Sequence, residues 1–241
     1  MIFDPISLFY FLIITPIVVV SYLLIYKFNK KLEAYQKIIF LGIFLFLVRF
    51  FLIFFQDSIG IMPYILPNVI FYALLAVFGV FLTILYVKKI EKLSFKEIGW
   101  ELKDIKKTII YTLISFGILL LILPLIVFLA EIRISILVSW EKITIGICFG
   151  IFLGGFYEET MFRGIIQKEF NSIFDDLKSI LFTSVVFVLT HLGYLPFTGF
   201  GIFYIYIFIM AILLSILRYK TNQFACFIVH GGLVFILIIF V

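Results

Sequence analysis

Long uninterrupted runs of apolar residues limit what this chain can fold into more than any other feature of its sequence. Hydrophobic residues occupy 65% of its 241 positions, and the mean hydropathy is +1.28. A soluble domain of this length is about half apolar, and a membrane-spanning helix needs about 20 consecutive, mostly apolar residues. The sequence therefore predicts an all-α protein, a polytopic bundle of transmembrane helices.

Eight segments reach or nearly reach the length of a span. They are Ile6–Tyr26, Ile38–Phe55, Val69–Val87, Ile109–Ala130, Ile143–Phe170, Ser179–Gly193, Phe200–Leu217 and Gln223–Val241. The first follows Asp4 rather than basic residues and lacks a small-residue cleavage site, so we interpret it as a retained helix. We predict a single membrane domain over residues 1–241, with N-terminal spans in 1–87, a basic linker in 88–107 and a core in 108–241.

Basic residues alternate between the predicted linkers. The odd-numbered linkers carry Lys27, Lys30, Lys31, Lys37, Lys88, Lys89, Lys92, Lys96, Lys103, Lys106, Lys107, Lys168, Lys178, Arg218 and Lys220. The even-numbered linkers carry only Arg133 and Lys142. Because basic linkers favour the cytoplasmic side, we expect both termini to lie outside the cytoplasm, in the cell membrane. The net charge of +5 then reflects membrane orientation and does not predict a nucleic-acid partner.

Two further features carry less information. The linker Lys88–Lys107 interleaves lysines with apolar residues, which is typical either of an amphipathic helix on anionic lipid or of a solvated cytoplasmic loop. Cys148 and Cys226 lie in predicted spans. We expect both to behave as small apolar residues, since two such cysteines form no disulfide or metal framework.

A few polar residues fall inside the predicted spans, where a charge costs about 2.5–3.5 kcal/mol and tends to mark function. They are Arg49, Glu158, Glu159, Arg163, His191 and His230. Both histidines of the chain belong to this set. Arg49 has no partner in its own span, and we expect it either to snorkel or to pair across the bundle.

The depths of three of these groups can be compared along the helices. With the turn after the fifth span near Phe174–Asp175, Glu158 and His191 lie roughly 24–26 Å from it on antiparallel neighbours, at 1.5 Å per residue. His230 lies roughly 15 Å in from Lys220 by the same rise. We therefore predict that Glu158, His191 and His230 meet in one cavity.

Helical spacing assigns different roles to the two adjacent glutamates. Glu159 and Arg163 are spaced i,i+4, which lets a carboxylate meet a guanidinium, so we predict a structural ion pair. Glu158 points about 100° away and becomes the candidate general base. Phe187 and His191 are also spaced i,i+4 and share a face. The alternative is that all these residues form only a structural network between helices.

The motifs resemble those of the CPBP intramembrane proteases, the CAAX prenyl protease and bacteriocin-processing group. EETMFR at 158–163 is similar to the EExxxR signature, FVLTH at 187–191 resembles FxxxH, and His230 falls where HxxxN begins. SFKEIGW at 94–100 resembles the segment that precedes the family's core. The resemblance covers roughly the last 100 residues.

The resemblance implies a helical bundle with a conical cavity open to the cytoplasm, a catalytic core and hydrolysis of a peptide or lipidated substrate. It implies that Glu158 and His191 activate a water and that His230 stabilises the oxyanion. Glu159, Arg163 and Phe187 would be supporting residues. One position departs from the pattern, because Val234 stands where the family has Asn. Losing one oxyanion donor typically costs 10²–10³ in rate. The backbone at Gly231 or Gly232, or a side chain such as Asn222, could compensate.

Metal use is left open by the sequence. Glu158, His191 and His230 are the ligand types of a catalytic zinc site, and Glu159 would then be the remaining base. The HExxH helix of soluble metalloproteases is absent. We favour a metal-free mechanism in which water is activated by glutamate and histidine.

Two other function classes compete with a membrane-embedded endopeptidase. A non-catalytic binding or immunity protein of the same family is favoured by Val234. A proton-coupled transporter would use Glu158 and His191 as a relay. Transporters often show inverted repeats and broken helices in both halves, whereas here no repeat is visible and the polar residues crowd into the second half.

Overall fold

The computed structural model describes residues 33–46, 65–129, 138–194 and 201–240. Within these ranges the chain forms seven helices and no strand, which confirms the all-α prediction. The helices are α1 Ala34–Phe46, α2 Ile65–Leu85 with a wider turn at Tyr86–Ile90, α3 Ile105–Leu129, α4 Trp140–Ile173, α5 Asp176–Thr190 followed by a 3₁₀ turn at His191–Tyr194, α6 Ile202–Lys220 and α7 Gln223–Phe240.

In the described ranges, five helical segments are long and apolar enough to cross a membrane. They are Tyr72–Ile90, Ile105–Leu129, Trp140–Ile173, Ile202–Lys220 and Gln223–Phe240. The chain is thus a multi-pass membrane protein, as predicted. The predicted first span and Arg49 lie outside the described residues, and α1 covers only part of the second predicted span. The total of eight spans and the side on which the termini lie stay predictions.

Helix α4 is the longest element and carries the motif EETMFR. It runs without a break for 34 residues. Over Gly146–Glu158 and Thr160–Ile166 its backbone is wound as a π-helix, an i→i+5 pattern that is rare and is often found at functional sites. The helix ends at Ile173, and the predicted turn at Phe174–Asp175 is confirmed. There Asp175 caps α5 by accepting a hydrogen bond from the Lys178 backbone at 3.0 Å.

Helices α4 and α7 form the most extensive helix contact among the described elements, and glycines make it close. A Cβ atom on Gly150 would lie 2.7 Å from the Phe235 nitrogen, and one on Gly231 would lie 3.2 Å from the Gly150 oxygen. Small residues at such an interface let two backbones approach directly. This contact brings His230 of α7 against Glu158 and Glu159 of α4.

The lysine-rich segment between α2 and α3 is not a helix over residues 91–104, so the amphipathic-helix alternative is wrong there. It is not simply a solvated loop either, because the Ile98 side chain is completely buried. Gly99 has a φ of +96°, and its carbonyl accepts a hydrogen bond from the Gln223 nitrogen at 2.9 Å. The Trp100 indole donates to the Thr160 hydroxyl at 3.1 Å. We call residues 91–104 the docking loop, because it connects the middle of α4 to the start of α7.

A buried charge cluster joins α1 to the core at the same end of the bundle. The Lys37 ammonium lies 2.6 Å from Glu91 and 2.7 Å from Glu169. The Tyr86 hydroxyl donates to the other oxygen of Glu91 at 2.8 Å. This lysine of a predicted basic linker is therefore a structural cation that connects α1, the end of α2 and the end of α4.

Candidate active site

The centre of the site is a carboxylate shared by an arginine and a histidine. Glu159 is completely buried, and its Oε1 accepts a hydrogen bond from Arg163 Nη1 at 2.8 Å. The predicted i,i+4 ion pair is therefore present. Arg163 is also buried and donates through Nη2 to the Ala211 carbonyl of α6 at 3.2 Å. The pair thus fixes α4 against α6.

His230 shares the same carboxylate oxygen. Its Nδ1 lies 2.6 Å from Glu159 Oε1. Because Glu159 also pairs with Arg163, we take its carboxylate as ionised and acceptor-only, so Nδ1 is the donor in this contact. A neutral His230 ring then carries its lone pair on Nε2, the opposite edge. Glu159 sets the ring's orientation and tautomer, a role that the sequence did not reveal.

Glu158 approaches the opposite edge of the same imidazole. Its Oε2 lies 3.9 Å from His230 Nε2, and its side chain is 10% exposed. The two glutamates therefore meet different nitrogens of one ring, as expected from side chains that project from α4 in different directions. Glu159 holds the ring, and Glu158 faces the nitrogen that can exchange a proton.

His191 lies at the C-terminal end of α5. Its Nδ1 lies 2.7 Å from the Phe187 carbonyl, and a carbonyl only accepts, so Nδ1 carries the proton and Nε2 the lone pair in the neutral ring. The carbonyl of His191 accepts a hydrogen bond from the Tyr204 hydroxyl of α6 at 3.3 Å. Both histidines are thus held in the same tautomer.

The Phe187 side chain connects the two histidines. It is completely buried, and its ring centroid lies 4.4 Å from that of His191 and 5.6 Å from that of His230. The Arg163 guanidinium lies over the same ring at 4.4 Å, within the range of a cation–π contact. Phe187 therefore packs against three polar groups of the site at once.

A small space lies beside His230 Nε2, and Gly154 creates it. A Cβ atom at Gly154 would lie 3.7 Å from His230 Nε2 and 3.6 Å from Val234 Cγ2. Val234 therefore faces the same space as the Nε2 edge of the imidazole. The position at which the motif departs from the expected Asn is part of the site.

The proposed substitutes for that Asn do not reach this space. Asn222 caps α7, where its Oδ1 accepts from the Ala225 nitrogen at 3.2 Å, and its amide donates to Thr108 at 2.6 Å. Gly231 and Gly232 lie in the interior of α7, where backbone N–H groups bond within the helix. Neither route supplies the missing donor.

A comparison with known families matches the segment that carries these side chains. Residues 139–236 match the family model described as type II CAAX prenyl endopeptidase Rce1-like. This segment is similar to that family. The match begins at the start of α4, ends within α7 and contains all three motifs of the site. No curated protein and no solved structure matches the chain.

Metal use at this site stays a prediction. The Nδ1 atoms of both histidines are used by Glu159 and by the Phe187 carbonyl, so Nε2 of each ring is the atom that would hold a metal. A carboxylate or carbonyl at the other ring nitrogen is the usual arrangement of a metal-binding histidine. Among the described residues, no group of three or more His, Cys, Asp or Glu side chains is placed to hold a metal ion.

The site residues predicted from the motifs divide into two groups. Glu158, Glu159, Arg163 and His230 form one cluster of direct polar contacts, and Phe187 links this cluster to His191. Sequence reasoning missed three kinds of support for this cluster. These are Gly154, which makes room at Nε2, Tyr204, which holds the end of α5, and Trp100, which binds the residue next to Glu159.

Proposed function

We propose that this chain is an intramembrane endopeptidase that hydrolyses a peptide bond of a peptide or lipidated, CAAX-like substrate with water activated by glutamate and histidine. The observation that carries the proposal is the double contact on His230, with Glu159 at one nitrogen and Glu158 near the other. The match of residues 139–236 to the Rce1-like family model supports the same reaction class.

In the proposed reaction a water lies between Glu158 and His191 and attacks the carbonyl carbon of the scissile bond. The water proton passes to Glu158, and the C–O bond forms as the carbonyl oxygen becomes negative. When the intermediate collapses, the C–N bond breaks and the proton is delivered to the leaving amine. This is general acid–base catalysis by a positioned carboxylate.

Stabilising the oxyanion requires a particular protonation state of His230. Because Nδ1 is committed to Glu159, a donor at Nε2 exists only when the ring carries both protons. Glu159 stabilises that imidazolium through a charge-assisted hydrogen bond.

An apolar groove in the structure favours the proposal of a lipidated substrate. The groove has a volume of about 620 Å³ and lies between α1 and α5. Thr190 and Leu192, on either side of His191, line one part of it, and Tyr35 and Phe174 line another. A hydrocarbon chain in this groove would bring an attached peptide to the end of α5. We place the entrance on the cytoplasmic side, where the lysine-rich linkers are expected.

The experiment uses purified full-length protein in lipid nanodiscs with a peptide library and matched lipidated CAAX peptides. We expect Glu158→Ala and His191→Ala to abolish cleavage while the protein still inserts and unfolds at a temperature close to that of the wild type. Glu141→Ala, which removes a carboxylate from the first turn of α4, is the matched control and should cleave normally. Retained cleavage in either site variant rejects the assignment.

The same assay tests metal use and the lipid chain. We expect a chelator to leave cleavage unchanged, and inhibition that zinc reverses would refute the metal-free mechanism. Gly42 lines the groove, and a Cβ there would lie 3.5 Å from Val186. Gly42→Leu should therefore raise KM for lipidated peptides only. An equal effect on unlipidated peptides would refute the groove as the lipid site.

Val234 favours a second candidate, a non-catalytic binding or immunity protein of the same family. Its apolar side chain faces the space at His230 Nε2 and donates no hydrogen bond. For a weakened enzyme, we expect Val234→Asn to raise kcat by up to about 10²–10³, the typical effect of one oxyanion donor. No turnover in either form, with retained peptide binding, would favour the binding protein.

A further inference from the structure

A buried polar seam runs from the site towards the docking loop. On α4, Glu159, Arg163 and Gln167 follow one another at i, i+4 and i+8, all at most 2% exposed. Arg163 donates to the Ala211 carbonyl at 3.2 Å, and Gln167 donates to the Ser215 carbonyl at 3.1 Å. These two hydrogen bonds link α4 to α6 at points that lie one helical turn apart.

Helix α7 supplies the third side of this seam. His230, Cys226 and Gln223 share one face of the helix and are at most 2% exposed. His230 meets Glu159, and the Cys226 thiol donates to the Leu214 carbonyl of α6 at 3.3 Å. Gln223 lies at the start of α7, where its backbone nitrogen bonds the docking loop. The seam therefore extends over roughly 10–12 Å, the length of two helical turns.

Most of the seam's polar side chains keep a polar atom that is not satisfied by protein. In the part of the chain that the structure describes, the buried atoms without a hydrogen-bond partner include Glu159 Oε2, Arg163 Nε, Gln167 Oε1, Ser215 Oγ, Gln223 Oε1 and Gln223 Nε2. These six belong to five residues on three neighbouring helices. They occur at each end of the seam.

Such a concentration of orphan atoms has a specific physical meaning. An unsatisfied buried polar group is costly, and native proteins pair such groups with protein or with ordered water. A buried water typically makes about three hydrogen bonds to groups of this kind. Donors and acceptors are both present here, since Arg163 and Gln223 offer N–H groups and the remaining atoms accept.

We infer that the seam between α4, α6 and α7 is an internal water column that connects the docking-loop end of the bundle with Glu159 and His230. Its ligand is water, held by the side chains of Gln167, Ser215 and Gln223. The inference deepens the proposed function and rests on it in one respect: hydrolysis consumes one water per peptide bond, and the column supplies water to the part of the site formed by Glu159 and His230.

Hydration can be measured without any activity, because a cysteine lies inside the seam. Short X-ray pulses convert bound water into hydroxyl radicals, which oxidise adjacent thiols, and mass spectrometry locates the product. Cys226 is completely buried, whereas Cys148 is 9% exposed and lies eleven residues before Glu159 on α4. We expect Cys226 to be oxidised several-fold more than Cys148, with ¹⁸O incorporated from labelled water. Oxidation of Cys226 no greater than that of Cys148 overturns the inference.

The Ser215→Ala variant tests the role of the column in turnover. It removes only the orphan hydroxyl and keeps the carbonyl that Gln167 bonds. We expect Cys226 oxidation to fall at least two-fold and kcat to fall several-fold with KM unchanged. If the seam is dry, the variant unfolds at a higher temperature with unchanged labelling, because an unsatisfied group is gone. Reduced labelling with unchanged kcat overturns the supply role.

These outcomes separate the two proposals. A wild-type protein that cleaves no peptide refutes the proposed function, while the oxidation of Cys226 still decides whether the seam holds water. If the Ser215→Ala variant cannot be purified, Gln223→Met takes its place. That substitution removes two buried polar atoms without a hydrogen-bond partner at the docking-loop end. The same labelling and kcat criteria apply to it.

Discussion

Substituting Glu159 by Gln tests the electrostatic centre of the site most directly. The carboxylate is completely buried and lies 2.8 Å from Arg163 and 2.6 Å from His230. Gln has nearly the same shape and can still accept from His230 Nδ1, but it removes the negative charge. The Arg163 guanidinium is then left buried with no opposite charge in contact.

The size of this effect follows from the burial of the pair. Removing one partner of a buried ion pair costs about 3–5 kcal/mol. For a chain of this length, that corresponds to a decrease in Tm of roughly 6–20 °C. Replacing both partners with neutral residues is often nearly neutral, so the double variant Glu159→Gln with Arg163→Met should recover most of the lost stability. We expect a coupling energy of about 2–3 kcal/mol.

Activity should not recover together with stability. His230 keeps a neutral hydrogen bond in the double variant, whereas a bond to a charged group is stronger by about 1–2 kcal/mol. That difference corresponds to roughly 5- to 30-fold in rate. The assays are thermal unfolding in nanodiscs and kcat on the best cleaved peptide, measured for the wild type, both single variants and the double variant.

Two results would refute this reasoning. A loss of less than about 1 kcal/mol for Glu159→Gln would match an exposed ion pair and contradict the burial. A double variant that is fully stable and fully active would show that Glu159 is needed only to neutralise Arg163, and that His230 does not depend on its charge.

Further predictions concern the α4–α7 contact and the start of α5. Gly150→Ala should destabilise the protein by about 1–3 kcal/mol, because the new Cβ would lie 2.7 Å from the Phe235 nitrogen. Gly117→Ala in α3, with no neighbour within 4 Å of its Cβ, should stabilise it by up to about 1 kcal/mol, and equal unfolding temperatures would contradict the contact. The Lys178 side chain and backbone hold the pKa of Asp175 below its usual 3.8, so the stabilisation is complete above pH 3.8 and is lost as the pH falls through the lower folded value. Asp175→Asn should flatten Tm between pH 2 and 4, and an unchanged slope would contradict that linkage.

Much of the fold could be predicted, because hydropathy and helical spacing are local signals. The span Ile143–Phe170, the turn after it and the Glu159–Arg163 pair depend on residues within a few turns of one helix. The structure places them as predicted. Charge alternation between linkers predicts orientation, and that orientation stays a prediction.

The parts that sequence reasoning missed depend on contacts between distant segments. The hydrogen bond of His230 to Glu159 joins residues 71 positions apart, and nothing in either motif specifies which nitrogen faces which glutamate. The docking loop was expected to be either a surface helix or a solvated loop, because its lysines dominate the pattern. Its burial depends on Ile98 and on a positive φ at Gly99. Gly154 offered a visible signal, as one of two adjacent glycines that lie four and three residues before Glu158.

The docking loop sets a lower limit on the smallest portion of this chain that can stand alone. The family match begins at residue 139, yet Trp100, Gly99 and Thr108 bond Thr160, Gln223 and Asn222 inside the matched segment. A truncation to that segment would remove the hydrogen bonds that hold α4, which carries Glu158, and α7, which carries His230. The transplantable unit for chimaeras or minimal variants therefore starts no later than the docking loop.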